Sequence, residues 1–105
     1  MTHYIGLMSG TSLDGVDGAL AEFTGDAITT LAAAYIAFPP ALRAELMALQ
    51  AAGDNEIERE ALAANQLAQF YAQCVAQLLD EAGRKADAVR AVAVHGQTIR
   101  HRPEL

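Results

Sequence analysis

The sequence predicts an α/β fold in the order βββαβ: an antiparallel meander of three strands, a crossover helix and a returning strand. Three observations predict it. Residues 1–38 hold three short apolar runs separated by glycine-containing turns, the mark of strands joined by tight connections. Residues 56–82 repeat apolar side chains every three or four positions over a length that only a helix reaches. Residues 88–95 then return to a compact run rich in valine and alanine. Short links make the first three strands antiparallel neighbours, and a long crossover lets the fourth lie parallel to its partner.

Taken in order, Tyr4 to Met8 is apolar and turn-bounded, as a buried strand should be. Val16 to Phe23 follows as a second strand, with Asp17 and Glu22 its only charges, and Gly25-Asp26 turns the chain into a third from Ala27 to Phe38. Pro39-Pro40 stops that strand and opens a short helix, since proline suits the first helical turn and little else in a helix. Leu42, Leu46 and Leu49 give that helix its apolar spacing, and Gly53 is the expected C-terminal stop. Asn55 with Glu58 reads as a capping box opening the long helix, whose stripe is Ile57, Ala61, Ala64, Leu67, Tyr71, Cys74, Leu78 and Ala82, with Gly83 ending it. From Glu56 to Ala82 such a helix would be about 40 Å long. Ala88 to His95 is the fourth strand.

Length and composition bound what the chain can do. Its 105 residues make one domain at most, and 52% hydrophobic with 19% charged residues is a globular composition. With no Trp, three Phe and three Tyr, the core must be shallow and closely packed. The net charge of −6 lacks the basic footprint of a nucleic-acid binder. Its distribution is uneven: residues 1–83 hold eleven acidic and two basic side chains, Arg43 and Arg59, whereas residues 84–105 hold five basic and two acidic ones. That electropositive end would suit an anionic ligand nearby, or is simply solvated. A single cysteine, Cys74, sits within the helical stripe and reads as a small buried hydrophobe. No apolar run reaches the roughly 20 residues that span a bilayer, and no signal core opens the chain. A cytoplasmic location without membrane or nucleic-acid partners is expected. The three histidines and Cys74 lack close metal-ligand spacing, which argues against zinc.

The chemistry concentrates in two stretches. Between the first two strands lies Met8-Ser9-Gly10-Thr11-Ser12-Leu13-Asp14-Gly15-Val16-Asp17. Its glycines let the backbone approach a ligand closely, so successive N–H groups can form an anion cradle. Ser9, Thr11 and Ser12 add hydroxyl donors. Asp14 and Asp17 could hold Mg²⁺, which uses one or two carboxylates and keeps several waters. The spacing fits neither a P-loop nor the dinucleotide fingerprint. An ordinary hairpin turn, which favours the same residue types for conformational reasons, stays open as the alternative. The second stretch, His95-Gly96-Gln97-Thr98, follows the fourth strand. Ligands in open α/β sheets sit beyond the carboxyl ends of strands, so His95, Gln97 and Thr98 are candidate substrate contacts.

The residues MSGTSLDGVD, and with them HGQT followed by HRP, resemble the anhydro-N-acetylmuramic acid kinase family of the actin, sugar kinase and Hsp70 ATPase superfamily. The resemblance runs from end to end of the chain, strongest in the first stretch and weakest in the helices. It implies that this is the N-terminal portion of such a kinase, an incomplete actin-like ATPase domain with the ribonuclease-H-like order βββαβ, the second domain lying outside residues 1–105. It implies ATP and Mg²⁺ as cofactors, with Gly10, Thr11, Ser12, Leu13, Asp14, Gly15, Val16 and Asp17 at the ATP phosphates and Asp14 as the metal residue. It implies phosphorylation of 1,6-anhydro-N-acetylmuramic acid with ring opening, in recycling of cell-wall sugars, and admits a homodimer at full length. The superfamily often carries an Asp two residues before the Gly-Thr pair, where this chain has Met8. The general base, the second phosphate loop and the adenosine pocket would lie outside these residues. A non-catalytic truncated module, or a subunit completed by another chain, stays open beside the kinase. The isolated chain is expected to leave a sheet edge uncovered, to self-associate or be only marginally folded, and to be inactive.

Overall fold

The computed structural model describes residues 1–105. The elements are β1 (Thr2–Met8), β2 (Gly15–Thr24), β3 (Ala27–Ala37), α1 (Pro40–Ala48), α2 (Glu56–Ala82), a 3-10 turn at Ala86–Ala88 and β4 (Val89–Val94). They build one mixed sheet in the order β3-β2-β1-β4. The pairs β1–β2 and β2–β3 are antiparallel, and β1–β4 is parallel across the crossover.

Strand alternation divides the sheet into two unlike faces. Ile5 and Leu7 of β1, Val16 and Leu20 of β2, and Ala32 and Ala34 of β3 point to the helices and are buried with Leu42, Leu46 and Leu49 around α1 and Cys74 and Leu78 of α2. Small side chains let α2 come close. A Cβ built on Gly18 would stand 2.6 Å from the Cys74 sulfur, so the thiol rests directly on the β2 backbone. Burial pushes that thiol above its ordinary pKa, which keeps it a packing group, since the thiolate is the reactive form.

The opposite face carries no helix. Tyr4 and Phe23 meet there edge to face with centroids 5.1 Å apart, while Ile28, Tyr35 and Met8 are exposed. On the helical side α2 covers β2 and β3 more than β4, so Val92 and Val94 are each 48% exposed on the edge strand.

Several boundaries differ from the expectation. β1 starts two residues earlier because Thr2 and His3 still pair with Phe23 and Glu22. β3 stops at Ala37, one residue short of Phe38, and β4 spans Val89–Val94, with Ala88 in the 3-10 turn. The short helix ends at Ala48, and Gly53 does not cap it; the N–H of Gly53 instead donates to Glu56 Oε2 at 2.9 Å. The expected capping box is also absent. Asn55 is left-handed, at φ 54°, and its side chain makes no capping bond.

The stripe of α2 holds in its C-terminal half, but toward the N-terminus Ala63 is the buried residue while Ile57, Ala61 and Ala64 are exposed. The first turns of α2 lie beside α1 rather than over the sheet. There Arg59 pairs with Glu45, and Ala63 is the one buried side chain of that half of the helix.

Candidate functional site

The turn between β1 and β2 gathers its functional groups at Gly10–Asp14, because Gly15, Val16 and Asp17 already belong to β2. Gly15 and Val16 are buried and pair with Ala37 and Ile36 of β3. They set the exit direction of the turn and do not project into it. Gly15 is sterically required: a Cβ there would meet the Ile36 carbonyl and stand 2.6 Å from the Tyr35 ring. Gly15→Ala is therefore expected to destabilise the chain by about 1–3 kcal/mol, read as a lowered urea midpoint with unchanged slope.

Leu13 holds the turn's far corner. Its side chain is buried and its backbone is left-handed, at φ 60°, a conformation that a branched residue adopts only when its surroundings impose it. The Leu13 N–H closes the turn on the Gly10 carbonyl at 3.1 Å. The N–H groups of Gly10, Thr11, Ser12 and Asp14 donate to nothing else in the chain. Thr11, Ser12 and Asp14 are exposed. The result is a run of unpartnered backbone donors in an exposed turn, which suits an anion.

Asp14 is held from both ends. Its carbonyl accepts from the Phe38 N–H at 2.9 Å and from the Tyr35 hydroxyl at 3.0 Å, and its carboxylate accepts from the Ser12 hydroxyl at 2.7 Å. Partial desolvation first, and then the Asp14 and Asp17 carboxylates, hold the Tyr35 phenol above its ordinary pKa, so it stays a donor at neutral pH. Arg43 of α1 reaches the Ser12 carbonyl from Nε and Nη2, both at 3.4 Å, and brings positive charge to the turn. Asp14 and Arg43 share an open cavity of about 540 Å³ with Phe38, Pro40 and Met47.

Asp17 opens elsewhere. It lines a shallow depression on the helix-free face, also about 540 Å³, with Gly6, Met8 and His95. The two carboxylates are thus not presented to one cation, and no cluster of three or more metal-ligating side chains occurs in the chain. A single exposed carboxylate beside a hydroxyl does fit Mg²⁺, which takes most of its shell from water and phosphate. On this chain Asp14 is the residue that suits it.

Ser9 is not a ligand-facing donor. Its side chain is buried, 2.7 Å from the Tyr71 hydroxyl of α2 and 3.3 Å from the Gly96 carbonyl. The second stretch meets the turn at this point. Gln97 Nε2 donates to the Gly10 carbonyl at 3.1 Å and to the Thr98 carbonyl at 3.2 Å. His95 is exposed, its Nδ1 3.3 Å from the Gly96 carbonyl, and Thr98 is half-buried. The basic C-terminal residues do not converge on the turn: Arg100 pairs with Glu56 at 2.6 Å and Arg102 with Glu104 at 3.2 Å.

Sequence reasoning missed Tyr35, Arg43 and Tyr71. Each is a polar tip on an element whose apolar spacing already explained it, and only the packing of β3, α1 and α2 brings them to the turn.

The family model for anhydro-N-acetylmuramic acid kinase matches residues 2–105. Proteins named anhydro-N-acetylmuramic acid kinase are similar throughout. That of Ralstonia nicotianae is 64% identical over 95% of this chain, which covers 26% of that protein. That of Cupriavidus pinatubonensis is 60% identical over 97% of this chain, covering 27% of that protein, and that of Bordetella pertussis is 57% identical with the same shares. The chain spans about a quarter of the length of the curated relatives it matches. With the family model covering all but the first residue, the chain belongs to the anhydro-N-acetylmuramic acid kinase family.

Proposed function

We propose that the protein carrying this chain is an ATP-dependent kinase that phosphorylates the 6-oxygen of 1,6-anhydro-N-acetylmuramic acid while water opens the anhydro ring, giving N-acetylmuramic acid 6-phosphate in cell-wall recycling. The observation that carries this reading is the run of unpartnered N–H groups at Gly10, Thr11, Ser12 and Asp14, in a chain whose family is named as a kinase of anhydro-N-acetylmuramic acid. Phosphoryl transfer asks the protein chiefly for positioning and for stabilisation of charge on the moving group. Gly10–Asp14 supplies backbone donors and the Thr11 hydroxyl, Leu13 anchors the turn, and Gly15, Val16 and Asp17 fix its exit. Asp14 would hold Mg²⁺, which neutralises phosphate charge when bound.

The fold suits an actin-like ATPase domain of which residues 1–105 form the opening part. His95 and Thr98 would form one wall of the sugar site at the end of β4, with Gln97 between them turned instead to the Gly10 carbonyl. The water that opens the ring needs a carboxylate base, and we assign it to no residue of this chain. A cytoplasmic enzyme follows from the use of ATP, with a homodimer as its candidate assembly.

The test is a coupled ADP-release assay on the full-length protein. ADP release that depends on the anhydro sugar, with a 6-phosphate product by mass spectrometry, is the expected result. ATP turnover indifferent to that sugar would overturn the substrate assignment.

A further inference from the structure

Beyond their ends, β1 and β4 stay in register through a mixed ladder. The last backbone rung is the His95 N–H to the Leu7 carbonyl at 2.9 Å. The next two rungs are made by side chains: the Ser9 hydroxyl to the Gly96 carbonyl at 3.3 Å, then Gln97 Nε2 to the Gly10 carbonyl at 3.1 Å. The phosphate turn is therefore gripped at its first residue by an amide that arrives 87 positions later in the chain.

The chemistry of that amide is fixed by its neighbours. Two carbonyls, Gly10 and Thr98, accept from the same nitrogen. Rotating the amide would set its oxygen against both of them, so only the NH₂ end can face the turn. The other end is left without a partner: Gln97 Oε1 is buried and accepts no hydrogen bond. A buried acceptor without a donor is destabilising and uncommon, and it calls for an explanation in what the group achieves elsewhere. Around it Leu46, Leu49, Leu67 and Ile99 line an apolar space with Gln97 at its border, where a methionine or leucine would pack without that penalty. What the glutamine alone provides is the donor to Gly10.

Holding the Gly10 carbonyl also orients the peptide whose other half is the Thr11 N–H, the first exposed donor of the cradle. The same carbonyl receives the closing bond from Leu13, so one oxygen carries both the closure of the turn and its tie to the segment after β4.

We propose that Gln97 is a positioning residue for nucleotide binding: it acts through the Gly10 carbonyl to preset the phosphate turn, although it lies in the stretch assigned to the sugar wall. This rests on the kinase reading above and deepens it, because it makes the segment after β4 a support of the nucleotide half of the site.

The experiment uses the full-length protein and three variants. Gln97→Glu keeps the shape but turns an oxygen toward two carbonyls, Gln97→Met keeps the volume and removes the donor without charge, and Gln97→Ala removes both. ATP binding is measured by calorimetry without sugar, and KM for ATP and for the anhydro sugar by steady-state kinetics. The expected result is a Kd and KM for ATP raised tenfold or more in Gln97→Glu, and raised less in Gln97→Met, with the sugar KM within threefold of the parent. Should Gln97→Glu fail to fold, Gln97→Met carries the same test. A sugar KM that rises while ATP binding is unchanged overturns the proposal, as does parent-like ATP binding in all three variants. A parent that binds no ATP overturns the kinase reading itself, an outcome distinct from either.

Discussion

Asp14→Ala in the full-length protein should lower kcat/KM of the proposed kinase by about 100-fold or more, because it removes the one carboxylate of the turn and with it the charge that would hold Mg²⁺ beside the transferring phosphoryl. The geometry makes this a clean experiment. The bonds that hold residue 14 in place use its backbone carbonyl, which accepts from Phe38 and Tyr35, and alanine leaves both intact. Only the Ser12 hydroxyl loses a partner, and it is exposed to water. Steady-state kinetics beside a thermal melt decide the matter. Activity within threefold of the parent at unchanged stability would assign Asp14 to turn geometry alone.

The second large effect is on stability. Leu78→Ala should cost about 2–5 kcal/mol, the range for emptying a fully buried leucine site, measured as a lowered urea midpoint. Leu78 is fully buried, and its Cδ1 would stand 3.0 Å from a Cβ built on Gly18. The floor of the resulting cavity would be bare β2 backbone, which has no side chain to relax into the space. A loss below about 1 kcal/mol would mean that α2 settles onto the sheet as a rigid body.

The α/β class, strands and helices packed on one mixed sheet, could be read from the sequence because the elements are marked by local signals. Apolar runs and the Gly25-Asp26 turn mark β1 to β3, and Gly83, left-handed at φ 63°, ends α2 where the pattern stops. Failures came where one local rule competed with tertiary contacts. Asn55 and Glu58 satisfy the capping-box spacing, yet Glu56 takes the Gly53 N–H and the Arg100 guanidinium instead. Ile57 matches the helical stripe but is 87% exposed, since periodicity says which face a residue occupies and not whether anything lies against that face.

The candidate site divided in the same way. Glycines and hydroxyls announced the turn, whereas the supports of Asp14, Ser12 and Ser9 come from Tyr35, Arg43 and Tyr71 in turn, whose positions are set by packing. No spacing rule links Gly10 to Gln97.

The parallel pairing of β1 with β4 has a consequence for how the chain acquires its shape. β1, β2 and β3 are joined by short connections and can zip as hairpins within microseconds of one another. β4 must close a loop of more than eighty residues before it pairs with β1, and such non-local pairing is slow. On a ribosome that adds residues from the N-terminus, the β1–β2 turn is synthesised early yet lacks its Gly96 and Gln97 rungs until the helices have emerged. Amide exchange begun at successive times during refolding should show Gly6 and Leu20, which face β2 and β3, protected first, with Leu13 gaining protection together with Ala93 of β4.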